Sequence, residues 1–74
     1  MIPRSQIIGR LRDENFSFSK RGKHTEILRQ HGTAQHIEVP LRDIFTPDEA
    51  GAILKQAGCT PDQIERFLKD CLKT

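Results

Sequence analysis

Lys20, Arg21, Lys23 and His24 crowd around Gly22 in the stretch SKRGKHTEIL, which runs from Ser19 to Leu28. Permanent cations hold phosphate oxygens, and a glycine between them does not block a close approach to the backbone. An imidazole, whose free pKa lies near neutrality, takes or returns a proton beside them. These residue types together suit a place where a phosphate is held and a histidine acts on it. His24 is then the proton-transfer group, and Lys20, Arg21, Gly22 and Lys23 are the turn that holds the phosphate. The plainer reading is a solvated turn, which is what most Lys/Arg clusters are, with His24 as one more polar surface residue. His31 reads as part of the next turn. The histidines and the two cysteines, Cys59 and Cys71, follow no zinc-binding spacing, so neither a metal nor another cofactor is expected.

The elements that must position this stretch are marked by their own signals. Residues 3–14 read as a helix. Pro3 suits its first turn, Ile7, Ile8 and Leu11 share a stripe, and Asn15 tolerates the left-handed conformation that stops it. FSFS alternates, which sets Phe16 and Phe18 on one face of a strand. HTEIL and HIEV read as two more strands. RQHGTAQ joins them as a hairpin with Gly32 at its tight point, and Pro40 ends the third strand. TPDEAGAILKQAG then opens a helix with Thr46 as N-cap, Pro47 at the first helical position and Glu49 at the third, a capping box. Ala50, Ile53, Leu54 and Ala57 form its apolar stripe, and Gly58 ends it. TPDQIERFLKDCLK repeats the start signal with Thr60, Pro61 and Gln63. Ile64, Phe67, Leu68, Cys71 and Leu72 keep helical spacing after it. The order helix, three strands, helix, helix predicts an α+β domain with its helices on one face of a small antiparallel sheet.

Seventy-four residues make one domain, 1–74, with a modest core. Only 35% of the residues are apolar, and the aromatics are four Phe without Trp or Tyr, so a partner is expected to supply part of the stability. The net charge of +2 decides little as a bulk number, but the excess cations concentrate in residues 4–29. The two cysteines are too few for a disulfide framework and read as free thiols in a reducing cytoplasm. No stretch is long and apolar enough to span a membrane or to form a signal core. The expectation is a cytoplasmic protein without membrane contact. The sequence leaves its oligomeric state open.

The hairpin register decides which way the chemistry faces. A loop of His31, Gly32 and Thr33 sets Ile27 opposite Ile37 and Thr25 opposite Val39, four residues that make a buried face. A two-residue loop would pair Ile27 with His36 and Glu26 with Ile37, which mixes the faces. The first register is therefore expected. It sends His24, Glu26 and Leu28 to the other face with His36 and Glu38, and leaves Lys20, Arg21 and Lys23 at the rim. Glu26 is then the candidate for orienting His24, and His36 the candidate for a second proton-transfer group.

The pieces RGKH at 21–24, VP at 39–40 and ILKQAG at 53–58 stand in an order that resembles the HicA toxins of bacterial toxin–antitoxin systems. The resemblance covers about residues 4–68, and TPDQIERFL resembles the extra helix of longer members. It implies a fold like the double-stranded-RNA-binding domain, α-β-β-β-α, here with one more C-terminal helix. It implies an endoribonuclease that cuts messenger RNA, and a cognate HicB-like antitoxin that blocks its site. The family's recurrent catalytic histidine falls on His24. This chain departs from many members in having Lys23 in place of Ser or Gly, Thr25 in place of a second histidine, and Leu41 and Arg42 after Val-Pro. The implied chemistry is metal-free. His24 takes the proton of a ribose 2′-hydroxyl, the oxygen attacks the adjacent phosphate, and Lys20, Arg21 and Lys23 offset the charge that gathers there. Two other classes fit the same residues. One is an RNA-binding module that does not cut, and the other is a protein-interaction domain that docks through the stripe from Ile64 to Leu72.

Overall fold

Helix α1 (Arg4–Asp13) begins directly after Pro3, the N-cap, in the computed structural model, which describes residues 1–72. The domain expected over 1–74 ends with two positions, 73 and 74, that lie outside the described residues. Ile7 and Leu11 are buried and Ile8 packs beside them, so the predicted stripe is the one that faces inward. Asn15 stops the helix with a φ of 69°, a conformation that asparagine tolerates better than most residues.

Three strands follow: β2 (Phe16–Arg21), β3 (Thr25–Gln30) and β4 (His36–Pro40). They form an antiparallel sheet in the order β2-β3-β4. Two further strands, β1 (Ile2–Pro3) and β5 (Ile44–Phe45), pair with each other and were not expected. Each is two residues long, too short to show alternation. Yet Ile2 and Phe45 are both fully buried, so this ribbon fixes the chain on either side of the main sheet.

Helices α2 (Pro47–Gln56) and α3 (Pro61–Leu72) complete the domain. Both capping boxes form. Thr46 Oγ1 accepts from the Glu49 N–H at 3.2 Å while Glu49 Oε1 accepts from the Thr46 N–H at 2.9 Å. Thr60 and Gln63 repeat the exchange at 3.2 and 2.8 Å. Gly58 ends α2 at a φ of +92°. Its N–H and that of Cys59 satisfy the carbonyls of Lys55 and Leu54, a Schellman closure. The helices pack on one face of the sheet, and Leu54 and Phe67 reach the same core as Phe16, Leu28, Ile37 and Val39.

The hairpin register corrects the expectation. Leu28 lies opposite Ile37 and Glu26 opposite Val39. The inward residues of β3 are therefore Glu26 and Leu28, while Ile27 lies opposite Glu38 on the outer face. The cause is a loop one residue longer than predicted. Gln30 N–H donates to Gln35 O at 3.0 Å, which leaves residues 31–34 as the turn, with Gly32 at a φ of +82°. Ile27 and Leu28 are adjacent and both apolar, so the sequence pattern accepts either as the core residue. Phe16 and Phe18 do share a face, as alternation requires, but only Phe16 is covered. Phe18 is 60% exposed on the edge strand.

Candidate functional site

The turn from Gly22 to His24 joins β2 to β3 and is pinned on both sides. Gly22 N–H donates to Thr25 O at 2.7 Å, and Leu41 N–H donates to His24 O at 3.0 Å. The second bond extends the β3–β4 pairing by one step, and it brings the RGKH stretch beside the end of the Val39–Pro40 stretch. Gly22 does not owe its place to backbone conformation, since its φ is not positive. A Cβ there would stand 3.4 Å from the Thr25 carbonyl and hydroxyl oxygens, at the close edge of ordinary contact.

His24 is exposed, as expected, but it sits in the turn and not on the strand face to which the predicted register assigned it. Lys20 and Lys23 are also exposed. No side-chain hydrogen bond or ion pair engages His24, Lys20 or Lys23 among the described residues. Arg21 is different. It lies opposite Glu26 across the β2–β3 pairing, and its Nη2 stands 3.5 Å from Glu26 Oε2.

Glu26 is not poised to orient His24. It points to the helix side, where its other oxygen meets Arg4 Nη2 at 3.1 Å. Arg4 in turn donates from Nη1 to Pro40 O at 2.5 Å, and its own N–H donates to Asp43 O at 2.7 Å. One half-buried carboxylate thus ties the start of α1 and the end of β2 to the middle of the sheet. Sequence reasoning missed Arg4 because no local signal links position 4 to positions 26 and 40.

His36 is not brought to His24 either. It lies opposite Arg29, at the far end of β3, about 13 Å along the strand from Thr25 at 3.3 Å per residue. His31 belongs to that far end too. Its ring Nε2 meets Ser17 Oγ at 3.2 Å, and its backbone N–H donates to Asn15 O at 3.0 Å, in keeping with its expected service to the turn.

Both cysteines are free, Cys59 buried and Cys71 half-buried. Burial pushes both thiols up from their ordinary pKa, so neither is an activated thiolate. No cluster of three or more His, Cys, Asp or Glu that could hold a metal ion occurs among the described residues. No helix there is long and apolar enough to cross a membrane. Elsewhere, Gly51, Ile64, Leu68 and Leu72 line an apolar groove of about 540 Å³ between α2 and α3. Leu72 is 53% exposed at its end.

No protein-family pattern, curated protein or solved structure matches this chain.

Proposed function

We propose that this chain is a HicA-like toxin of a bacterial toxin–antitoxin system, an endoribonuclease that cuts messenger RNA in the cytoplasm with His24 as its proton-transfer group and without a metal. One observation carries the reading. An exposed histidine with no side-chain partner stands in a doubly pinned turn directly after Lys23, and neither Lys20 nor Lys23 has an acidic partner among the described residues. In this reading α1, the β2-β3-β4 sheet and α2 correspond to the double-stranded-RNA-binding-domain arrangement, and α3 is the additional helix.

The reaction needs little machinery. The imidazole of His24 accepts the proton of a ribose 2′-hydroxyl as that oxygen forms a bond to the adjacent phosphorus. The bond from phosphorus to the 5′-oxygen breaks, and the leaving oxygen takes up a proton. The products are a 2′,3′-cyclic phosphate and a free 5′-hydroxyl. Lys20 and Lys23 stabilise the charge that builds on the phosphoryl oxygens, with Arg21 contributing less because Glu26 already engages it. A cognate HicB-like antitoxin covers this turn and keeps it from RNA.

Incubation of purified protein with RNA in the presence of a chelator tests the reading. Wild-type protein should cut and leave a cyclic phosphate, and the His24→Ala variant should not. The apolar groove between α2 and α3 favours a second reading, a protein-interaction domain with incidental cations. Protein that neither cuts nor binds RNA would leave that reading as the better one.

A further inference from the structure

The bulge at Ser19 changes what Lys20 does. β2 and β3 pair in register through Ser17 opposite Arg29 and Phe18 opposite Leu28. Continued without interruption, that register would set Ser19 opposite Ile27 and Lys20 opposite Glu26. Instead the register shifts between Phe18 and Lys20, so that Lys20 lies opposite Ile27 and Arg21 opposite Glu26. Side chains of directly opposed residues share a face. The extra residue therefore moves Lys20 from the helix side, opposite Glu26, to the open side of the sheet.

On that open side the strands present successive rows. Thr25 and Pro40 adjoin the His24 turn, Lys20, Ile27 and Glu38 follow, and Ser17, Arg29 and His36 come next. Rows two residues apart along a strand are separated by about 7 Å. Lys20 and Arg29 are diagonal neighbours across the pair, at a separation of about 7–8 Å. Two like charges so placed repel each other, and neither has an ion-pair partner among the described residues. Glu38, on the β4 side of this face, makes no ion pair with Arg29. No helix packs here; Lys20, Arg29, His36 and Glu38 are all exposed.

We propose that a single-stranded RNA runs from the His24 turn across this open face along the β2 side, with successive phosphates held by Lys20 and then Arg29. The inference rests on the RNA-cutting reading above and adds where the substrate lies beyond the reacting phosphate. Phosphate is the chemistry that unpaired, adjacent cations on a flat face recognise. Ser17 and Thr25 supply hydroxyls along the path, and half-buried Ile27 supplies an apolar floor for a sugar or base. The strands present no Phe, Tyr or Trp on this face, and His36 lies on the β4 side away from the track, so the track reads charge and not sequence. Glu38 confines it to the β2 side.

The test measures binding of a fluorescent octaribonucleotide to the uncut-substrate background His24→Ala, as a function of salt. Adding Arg29→Ala or Lys20→Ala should each weaken binding and lower the salt slope by about 0.7, the value for one phosphate contact to a single strand. Adding Glu38→Gln should tighten binding. Arg66→Ala, which removes an exposed cation from α3, should leave the slope unchanged. Thermal melting confirms that each variant is folded. A slope that falls for Lys23→Ala but not for Arg29→Ala or Lys20→Ala overturns this track while leaving the nuclease reading intact. A fall for Arg66→Ala as large as for Arg29→Ala also overturns it, since the effect would then be general charge. Absence of any RNA binding by the parent overturns the track and the nuclease reading together.

Discussion

The sheet carries a glycine turn and a histidine at each end, and the two ends are built differently. At the β3–β4 end, His31 is committed: Ser17 Oγ meets its ring and Asn15 O accepts its backbone N–H. Gln30, Thr33 and Gln35 bond among themselves around it, and Gly32 takes the positive φ that the turn requires. At the β2–β3 end Arg21 pairs with Glu26, but the turn from Gly22 to His24 commits only its backbone. The carbonyl of His24 and the N–H of Gly22 are satisfied, whereas the side chains of Lys20, Lys23 and His24 have no partner within the described chain. A turn that uses its side chains internally is serving the fold. A turn that fixes its backbone and leaves its charges unspent is available for something outside the molecule.

The sharpest way to break that comparison is to exchange the histidines' fates. His24→Ala should lower RNA cleavage by roughly a hundred- to ten-thousand-fold, the usual contribution of a general acid–base group. It should change stability by no more than about 0.5 kcal/mol, since an exposed side chain without partners contributes little. His31→Ala should do the reverse, retaining most cleavage and losing about 1 kcal/mol with its hydrogen bond. Cleavage rates in chelator and denaturant midpoints on both variants decide it. Full activity in His24→Ala would make the two ends equivalent and remove the catalytic assignment. His36→Ala should behave as wild type, because His36 stands at the far end of β3.

Glu26 tests whether the carboxylate belongs to the fold or to the site. Glu26→Ala frees Arg4 and Arg21 on the helix side and should cost about 1–3 kcal/mol, read from chemical denaturation. At a temperature where the variant is still folded, its cleavage should retain the wild-type dependence on pH. A displaced pH profile would mean that Glu26 does act on His24 and that the comparison between the committed and the free groups is drawn wrongly.

A smaller effect belongs to the helical layer, which serves as the reference for both ends. The Glu49 carboxyl is held below its ordinary pKa by the Thr46 N–H and by the Arg42 guanidinium. A depressed carboxyl contributes stability that is present above its unfolded pKa and is lost as pH falls through the lower folded value. That window lies in the acidic range, below the usual carboxylate values and well below the range in which a free imidazole titrates. Melting temperatures of wild type and Glu49→Gln across pH should converge only in acid. Thr46→Ala, which removes the cap, should cost about 1 kcal/mol at neutral pH and leave cleavage unchanged.

Much of the local structure could be read from the residues alone, because the signals are short-range and physical. Pro47 with Thr46 and Glu49, and Pro61 with Thr60 and Gln63, specify helix starts through bonds that span only three residues. Asn15 and Gly58 mark the stops, since few other residues tolerate a positive φ. The cationic turn around Gly22 and the order of elements follow from composition along the chain. What the sequence did not determine is which face each strand turns inward. Ile27 and Leu28 are interchangeable to an alternation argument, and one loop residue separates the two registers. Only packing chose Leu28, because the core already holds Phe16, Ile37 and Val39 at that position of the sheet. That choice then carried Glu26 to Arg4, left Ile27 outward, and parted His36 from His24. The Ser19 bulge is likewise invisible in FSFSKR and decided on the pairing with β3, where Arg21 and not Lys20 meets Glu26. Bonds within a few residues are written into the chain locally, whereas register is a sum over contacts distant in sequence, and it exists only once the strands and helices meet.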